Sequence, residues 1–249
     1  MKNYLDFILT MTQKEIKARY KRAVFGFLWI VLNPILQMII IGVIFSFFIK
    51  IENYFLFLFS GLLPWQFISL SISKATPSIV FERALLQKAK FPIESIPVSI
   101  ILANFINMLV SFVLFLLILM FLGKLSLLGV LISIPVLIWL LTFTMGLSLL
   151  TSALQVKYRD INFFVQTVLI LWFYATPVIY NLSVIPKALL PFFLLNPLTS
   201  IFEILHQSLL QQGHINIEIL IINILTSLLI VFLGVFLFKK EHRYFVDWL

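Results

Sequence analysis

Residues 82–94 read ERALLQKAKFPIE, a charged island carrying Arg83, Lys88 and Lys90 inside a chain that is otherwise almost continuously apolar. The apolar runs on both sides are long enough to cross a bilayer, and three cations so close together cannot sit in hydrocarbon. The island therefore marks a loop outside the membrane, and its flanks are membrane spans. Composition agrees: 62% hydrophobic residues, 27 Phe and a mean hydropathy of +1.11 leave too little polar surface for a soluble globule of 249 residues. The apolar stretches are uninterrupted instead of alternating, so the spans are helices and not barrel strands. The predicted fold class is all-α and integral to the membrane.

Toward the N-terminus, residues 54–80 form the span before the island. Gly61, Pro64, Ser69, Ser71, Ser73 and Pro77 predict that its helix is kinked or broken. A link at 50–53 joins it to a first span over 24–49, interrupted at Asn33 and Pro34. Residues 1–23 place Leu5, Ile8, Leu9, Thr12, Ile16 and Tyr20 on one helical face and Lys14, Lys17 and Lys21 on another, the pattern of an amphipathic helix on the membrane surface. No small-residue cleavage site follows the apolar run, so no leader is expected to be removed. The chain then divides into an interface helix, 1–23, and one transmembrane domain, 24–249.

Toward the C-terminus, a third span over 96–122 repeats Ser99, Ala103, Asn107 and Ser111 every four residues. That stripe suits close helix packing with Asn as interhelical glue, or the lining of a polar path. A turn at 123–126 leads to a fourth span over 127–155. A second charged break, Lys157, Tyr158, Arg159 and Asp160, precedes a fifth over 161–180. Between 181 and 214, Pro186, Pro191 and Pro197 cut the apolar sequence into pieces too short to cross. Asn196 and Pro197 open a helix that Gly213 stops, about 22 Å long and lying in the interface or dipping in and returning. A sixth span over 215–238 ends at Lys239, Lys240, Glu241, His242 and Arg243.

Six spans put both termini on one side. That side receives Lys2, Lys14, Lys17, Arg19, Lys21, Arg22, Lys74, Arg83, Lys88, Lys90, Lys157, Arg159, Lys239, Lys240 and Arg243, leaving only Lys50, Lys124 and Lys187 opposite. By the positive-inside rule the termini, the island and the 157–160 break are cytoplasmic, in a multi-pass membrane protein. The net charge of +8 is thus a matter of topology, and no nucleic-acid partner is expected.

The chain has no phosphate-binding loop, no metalloprotease or esterase motif and no close carboxylate pair, so it is not read as an enzyme. It has no Cys, and its three His are scattered, so no bound metal or cofactor is expected. No Asp or Glu lies in the core of a span, which disfavours an ion-coupled carrier. If substrate moves, the energy comes from a partner docking at the island. There 84–90 can form two helical turns presenting Leu85 or Leu86 as a knob beside Gln87, with Lys88 and Lys90 at the rim and Phe91 and Pro92 as the stop. The same charges serve equally as topological anchors.

Five stretches in order, ARYKRAVFGFLW (18–29, followed by Asn33 and Pro34), GLLPWQF (61–67), YRDI (158–161), TPVIY (176–180) and NPL (196–198), resemble the permease subunit of polysaccharide exporters of the ABC superfamily, which move O-antigen, capsule-like and teichoic acid polymers. The resemblance covers nearly the whole chain. It implies two copies of this permease working with two copies of a separate ATPase, which holds ATP and Mg and grips both the island helix, 83–92, and the N-terminal helix. It implies that the proline-broken segment 183–211, with Pro186, Pro191, Asn196, Pro197 and Glu203, gates the outer end of a channel. The substrate would be a lipid-linked polysaccharide. Lys14, Lys17, Arg19, Lys21 and Arg22 would attract the lipid's phosphates, or simply anchor the helix to membrane lipid. Trp65, Phe67, Trp172, Phe173, Tyr174 and Tyr180 would stack on the apolar faces of sugar rings, or form an interface belt. Asn104 and Asn107 would add hydrogen bonds. The alternatives are a permease of the same superfamily for a small drug or lipid, and a non-transporting membrane scaffold or enzyme.

Overall fold

The computed structural model describes residues 2–21, 23–88, 91–213 and 216–245, apart from the side chains at 2, 3, 87 and 88. In chain order the helices are α1 (Lys2–Tyr20), α2 (Trp29–Phe45, entered through a 3-10 turn at Gly26–Leu28), α3 (Tyr54–Phe81), α4 (Arg83–Lys88), α5 (Ser95–Phe121), α6 (Leu127–Lys157), α7 (Ile161–Tyr174), α8 (Leu190–Leu194), α9 (Thr199–Leu210) and α10 (Ile217–Glu241). No strand occurs among the described residues. The entry into α2 together with α2, and α3, α5, α6 and α10, are each long and apolar enough to cross a bilayer.

The helices start and stop where local chemistry requires. The Ser126 hydroxyl accepts from the Gly129 amide at 3.2 Å to cap α6, and the Asn216 side chain accepts from Glu218 N at 2.9 Å to cap α10. Gly123, at φ +67°, supplies the left-handed residue that ends α5.

α3 is the hub, packed against α2, α5, α6, α7 and α9. It is apolar almost all round at its Tyr54 end, where 57–65 are buried without a break, as a helix surrounded by others must be. It runs as one helix through Pro64 and Pro77, so the break that the sequence offered does not occur, and α2, α5, α6, α7 and α9 pack along it. Pro34 likewise lies inside α2. Proline has no N–H, so the Ile30 carbonyl loses its partner within the helix, and Ser111 of α5 donates to it at 2.9 Å. Lipid gives helices no hydrophobic reason to associate, and close backbone approach replaces it. Gly146 and Gly234 face each other where α6 crosses α10, and a Cβ on Gly234 would collide with the Gly146 carbonyl.

The ends of the bundle sort as the charge pattern predicts. At one end Gln212 donates to the Glu52 carbonyl at 2.6 Å, and 52–53, 123–126 and 209–212 share a cleft of about 450 Å³. At the other, Ile79, Leu149, Ala153, Val156, Phe238 and Phe245 form a small core with Leu86 and Ile93 of the island packed on it. The fifth crossing is helical for only 14 residues, about 21 Å. It nevertheless starts at the island end, and by Ile179 it is at the opposite end, where Tyr54 donates to the Ile179 carbonyl at 2.9 Å. Six crossings result, and both described termini lie at the island end.

Three expectations shift in detail. α1 buries Ile8, Met11 and Thr12 against α5, while Leu5 and Leu9 are 58% and 56% exposed, so its packed stripe is rotated from the predicted face. It is docked on protein and not only laid on lipid. α9 begins at Thr199 and stops at Gln211, which adopts φ +57°, two residues before the predicted glycine stop. Most of α9 is buried, Glu203 included, which places it inside the bundle's end and not in the interface plane.

Candidate functional site

Polar side chains from three separate segments converge on one outward face. α2 presents Gln37, α3 presents Gln66, Ser69 and Ser73 along one helical stripe, and α7 presents Gln166. Gln66 Nε2 donates to Gln37 Oε1 at 2.8 Å, and Gln166 Nε2 donates to Ser73 Oγ. Gln37, Ser69 and Gln166 line a cleft of about 300 Å³ together with Trp65, Phe173 and Tyr174. Gln66 is about 18 Å from the start of a helix about 42 Å long, so these amides sit near mid-depth. Primary amides at that level are costly against lipid and favourable against water, a polar substrate or another polypeptide. Trp65, Phe173 and Tyr174 stand out in the sequence as candidates and these amides do not, because nothing in the sequence brings residues 37, 66 and 166 together.

The aromatic candidates separate into groups. Trp65 and Phe173 lie with ring centroids 5.4 Å apart, Phe173 and Tyr174 lie 5.1 Å apart, and Tyr174 is 58% exposed. These three belong to the face. The Tyr180 hydroxyl donates to the Tyr174 carbonyl at 2.6 Å, fixing the end of α7. Trp172 turns inward, 6.1 Å from Phe143, with its indole N–H donating to Asn196 Oδ1 at 2.9 Å. Phe67 is 2% exposed and packs on Phe105, away from the face. Asn104 donates to Ser71 Oγ at 3.1 Å, as interhelical glue does, while Asn107 is buried with neither amide atom bonded. The stripe on α5 is thus packing at Ser99, Ala103 and Ser111, all buried, with Asn107 the exception.

At the island end, α4 spans Arg83–Lys88, beginning one residue before the predicted 84–90 helix, and residues 89 and 90 lie outside the described residues. Arg83 and Pro92 are exposed, Leu85 is half-buried, and Leu86 packs inward on the small core. Lys90 and Arg22, and the side chains of Gln87 and Lys88, lie outside the described residues. α1 touches the island at three points. Phe7 meets Phe91 at 5.2 Å, and Lys14 pairs with Glu82 at 3.5 Å. Burial, and then the Glu94 carboxylate, raise the Tyr4 phenol above its ordinary range. Lys17 and Lys21 are exposed, whereas Arg19 turns inward and donates to Asn104 Oδ1. The 157–160 break is exposed, with Lys157 Nζ 5.4 Å from the Tyr158 ring centroid. Its shape is set by buried Gln155, which donates to the Arg159 carbonyl at 3.0 Å and accepts from Asn162 N at 2.6 Å. Phe245 also belongs to this end, 5.4 Å from Phe238 and fully buried. A lone aromatic after a basic run gave no sign of that role.

At the opposite end, Asn196 is a junction. Its Nδ2 donates to the Ala175 carbonyl and to Thr176 Oγ1, both at 2.9 Å, and its Oδ1 accepts from Trp172 and from Leu198 N. It therefore ties the end of α7 to the start of α9. α9 lies flush on the bundle because Gly61 and Gly129 leave room, Gly61 for the Val178 carbonyl and His206, Gly129 for the Ser208 carbonyl. His206 stacks on Phe57 with centroids 3.8 Å apart. Pro186 and Pro191 are exposed, Pro197 is half-buried, and Glu203 is buried.

No cluster of residues able to hold a metal occurs among the described residues. A sequence model of the ABC-2 type transporter family matches residues 7–210. A Myxococcus xanthus protein called O-antigen export system permease protein RfbA is 37% identical over 184 residues, 73% of this chain and 71% of the relative. Two Klebsiella pneumoniae proteins of the same name are 31% and 30% identical over 245 residues, each alignment spanning 97% of this chain and 94% of the relative.

Proposed function

Because the chain belongs to the ABC-2 type transporter family, we propose that it is the transmembrane subunit of an exporter carrying a lipid-linked polysaccharide out across the bacterial cytoplasmic membrane, driven by a separate ATPase. The observation that carries this reading is the amide-bearing, aromatic-flanked face of α2, α3 and α7. Amides exchange hydrogen bonds with hydroxyls of any linkage, and ring faces stack on sugars without selecting one, so the combination suits a moving polymer. Relatives aligned along almost their whole length are named as O-antigen export permeases. Two copies of the chain set face to face would enclose these polar surfaces and shield them from lipid.

The ATPase, with its ATP and Mg, docks where Arg83 and Pro92 are exposed, on the cytoplasmic side that the basic residues select. α1, the island, the end of α6 and Phe245 are joined there, so a push on the island moves all of them. The test is co-purification with the ATPase, followed by ATP hydrolysis measured with lipid-linked polysaccharide, with the unglycosylated carrier lipid and with a small drug-like amphiphile. Stimulation by the glycan-bearing lipid above the other two supports the reading. Equal stimulation by the small amphiphile points to a small-molecule permease, and failure to bind any ATPase to a scaffold.

A further inference from the structure

A cleft of about 300 Å³ opens where the end of α1 meets α2, α3 and α5, next to the face described above and sharing Gln66 with it. Arg19 lines it, and its guanidinium meets only neutral partners, the amide of Asn104 and the phenol of Tyr20. The buried Arg19 Nε has no hydrogen-bond partner, and no carboxylate among the described residues pairs with this side chain. Glu15 and Glu82 line a different cleft with Lys74. Asn107, only 8% exposed, lines the Arg19 cleft with both its amide nitrogen and its amide oxygen unbonded. A cation without an anion beside a buried amide without a partner is an unfavourable pair, and one ligand satisfies both.

Depth indicates which ligand. α5 has 27 residues, about 40 Å, against a hydrocarbon core of about 30 Å. Asn104 lies about 25 Å from the outer end of α5 and about 14 Å from its island end, so Arg19 reaches into the island-side half of the hydrocarbon, where a phosphate drawn in from the headgroup level meets it. The remaining walls include Trp29, Leu70 and Met108, which accept an acyl or prenyl stem. We propose that this cleft binds the phosphate ester of a membrane amphiphile, with Arg19 pairing the phosphate and Asn107 donating beside it. Of the basic residues on and just after α1 whose side chains are described, it is the inward-facing Arg19, and not exposed Lys14, Lys17 or Lys21, that makes the site. Identifying the amphiphile with the exported cargo rests on the exporter reading; the phosphate chemistry does not.

The test uses the purified, delipidated full chain in neutral detergent and native mass spectrometry with farnesyl phosphate, its uncharged counterpart farnesol, and short-chain phosphatidylglycerol. Farnesyl phosphate is expected to bind and farnesol not to bind, a comparison made on the unaltered protein. Arg19→Gln and the isosteric Asn107→Asp should each weaken farnesyl phosphate binding about tenfold or more, while Arg19→Lys retains much of it. Preference for farnesyl phosphate over phosphatidylglycerol assigns the site to a prenyl-linked cargo; equal competition assigns it to bulk anionic lipid. Farnesol binding as tightly as its phosphate, or full phosphate binding in both Arg19→Gln and Asn107→Asp, overturns the proposal. A chain that exports glycan yet fails this test loses the cleft and keeps its function, and phosphate binding without export does the reverse.

Discussion

Gln37 of α2 and Gln66 of α3 share a hydrogen bond of 2.8 Å on the outer face of the bundle, near the middle of its depth. One amide paired with another still leaves donors and acceptors free on both. Such a pair is stable only if something polar meets it, which makes the α2–α3–α7 face the most informative surface of the molecule.

The chain contains no cysteine, so single cysteines report accessibility cleanly. In the assembled transporter, Gln37→Cys and Gln166→Cys should react with a membrane-impermeant thiol reagent at least about tenfold faster than Leu229→Cys, an exposed position on α10 facing lipid. Equal protection at all three would place lipid against the polar face and remove it as a path.

Ser111→Ala removes the donor that satisfies the Ile30 carbonyl freed by Pro34. A buried unpaired carbonyl costs about 1–3 kcal/mol, so the thermal unfolding midpoint in detergent should fall. An unchanged midpoint would mean that the carbonyl finds another partner.

Gly234→Val drives a branched side chain into the Gly146 carbonyl where α6 crosses α10. Overpacking of this kind costs about 1–3 kcal/mol, and here the obstacle is backbone, which yields least. The variant should insert but unfold at lower temperature, whereas Leu229→Ala on the exposed face should stay within about 0.5 kcal/mol of the parent.

Much of this architecture was legible in the sequence. Long apolar runs and their charged breaks give every crossing, because hydrocarbon tolerates neither charge nor an unpaired backbone. What was not legible arises from convergence. Gln37, Gln66 and Gln166 look like isolated polar residues in three spans, and only the packing of α2 and α7 on α3 makes them one surface. The phase of α1 was misjudged because Leu5 and Leu9 satisfy an apolar pattern equally well facing lipid, while Arg19, charged and expected outside, turns inward to Asn104. The helix after Pro197 carries Glu203, Gln207 and Gln211 on one side and so reads as one that lies in the interface or dips in and returns. Glycines at 61 and 129, far away in sequence, make the room that buries it.

Phe7→Ala and Arg83→Glu probe the island end. Phe7→Ala loosens α1 from Phe91, so the ATPase should still bind but hydrolyse ATP with weaker stimulation by substrate. Arg83→Glu, together with Lys88→Glu and Lys90→Glu, should reduce ATPase capture in pull-downs without altering membrane insertion. Normal capture by all three Glu variants would return the island to a topological anchor.

The most direct test of the central claim is transport by the chain and its ATPase in sealed proteoliposomes, following ATP-dependent movement of a fluorescent lipid-linked polysaccharide. The account predicts glycan translocation by the parent and its loss in a Gln37→Leu, Gln66→Leu double variant that still binds the ATPase. ATP-dependent movement of small amphiphiles with no glycan translocation, or undiminished glycan export by the double variant, would contradict it.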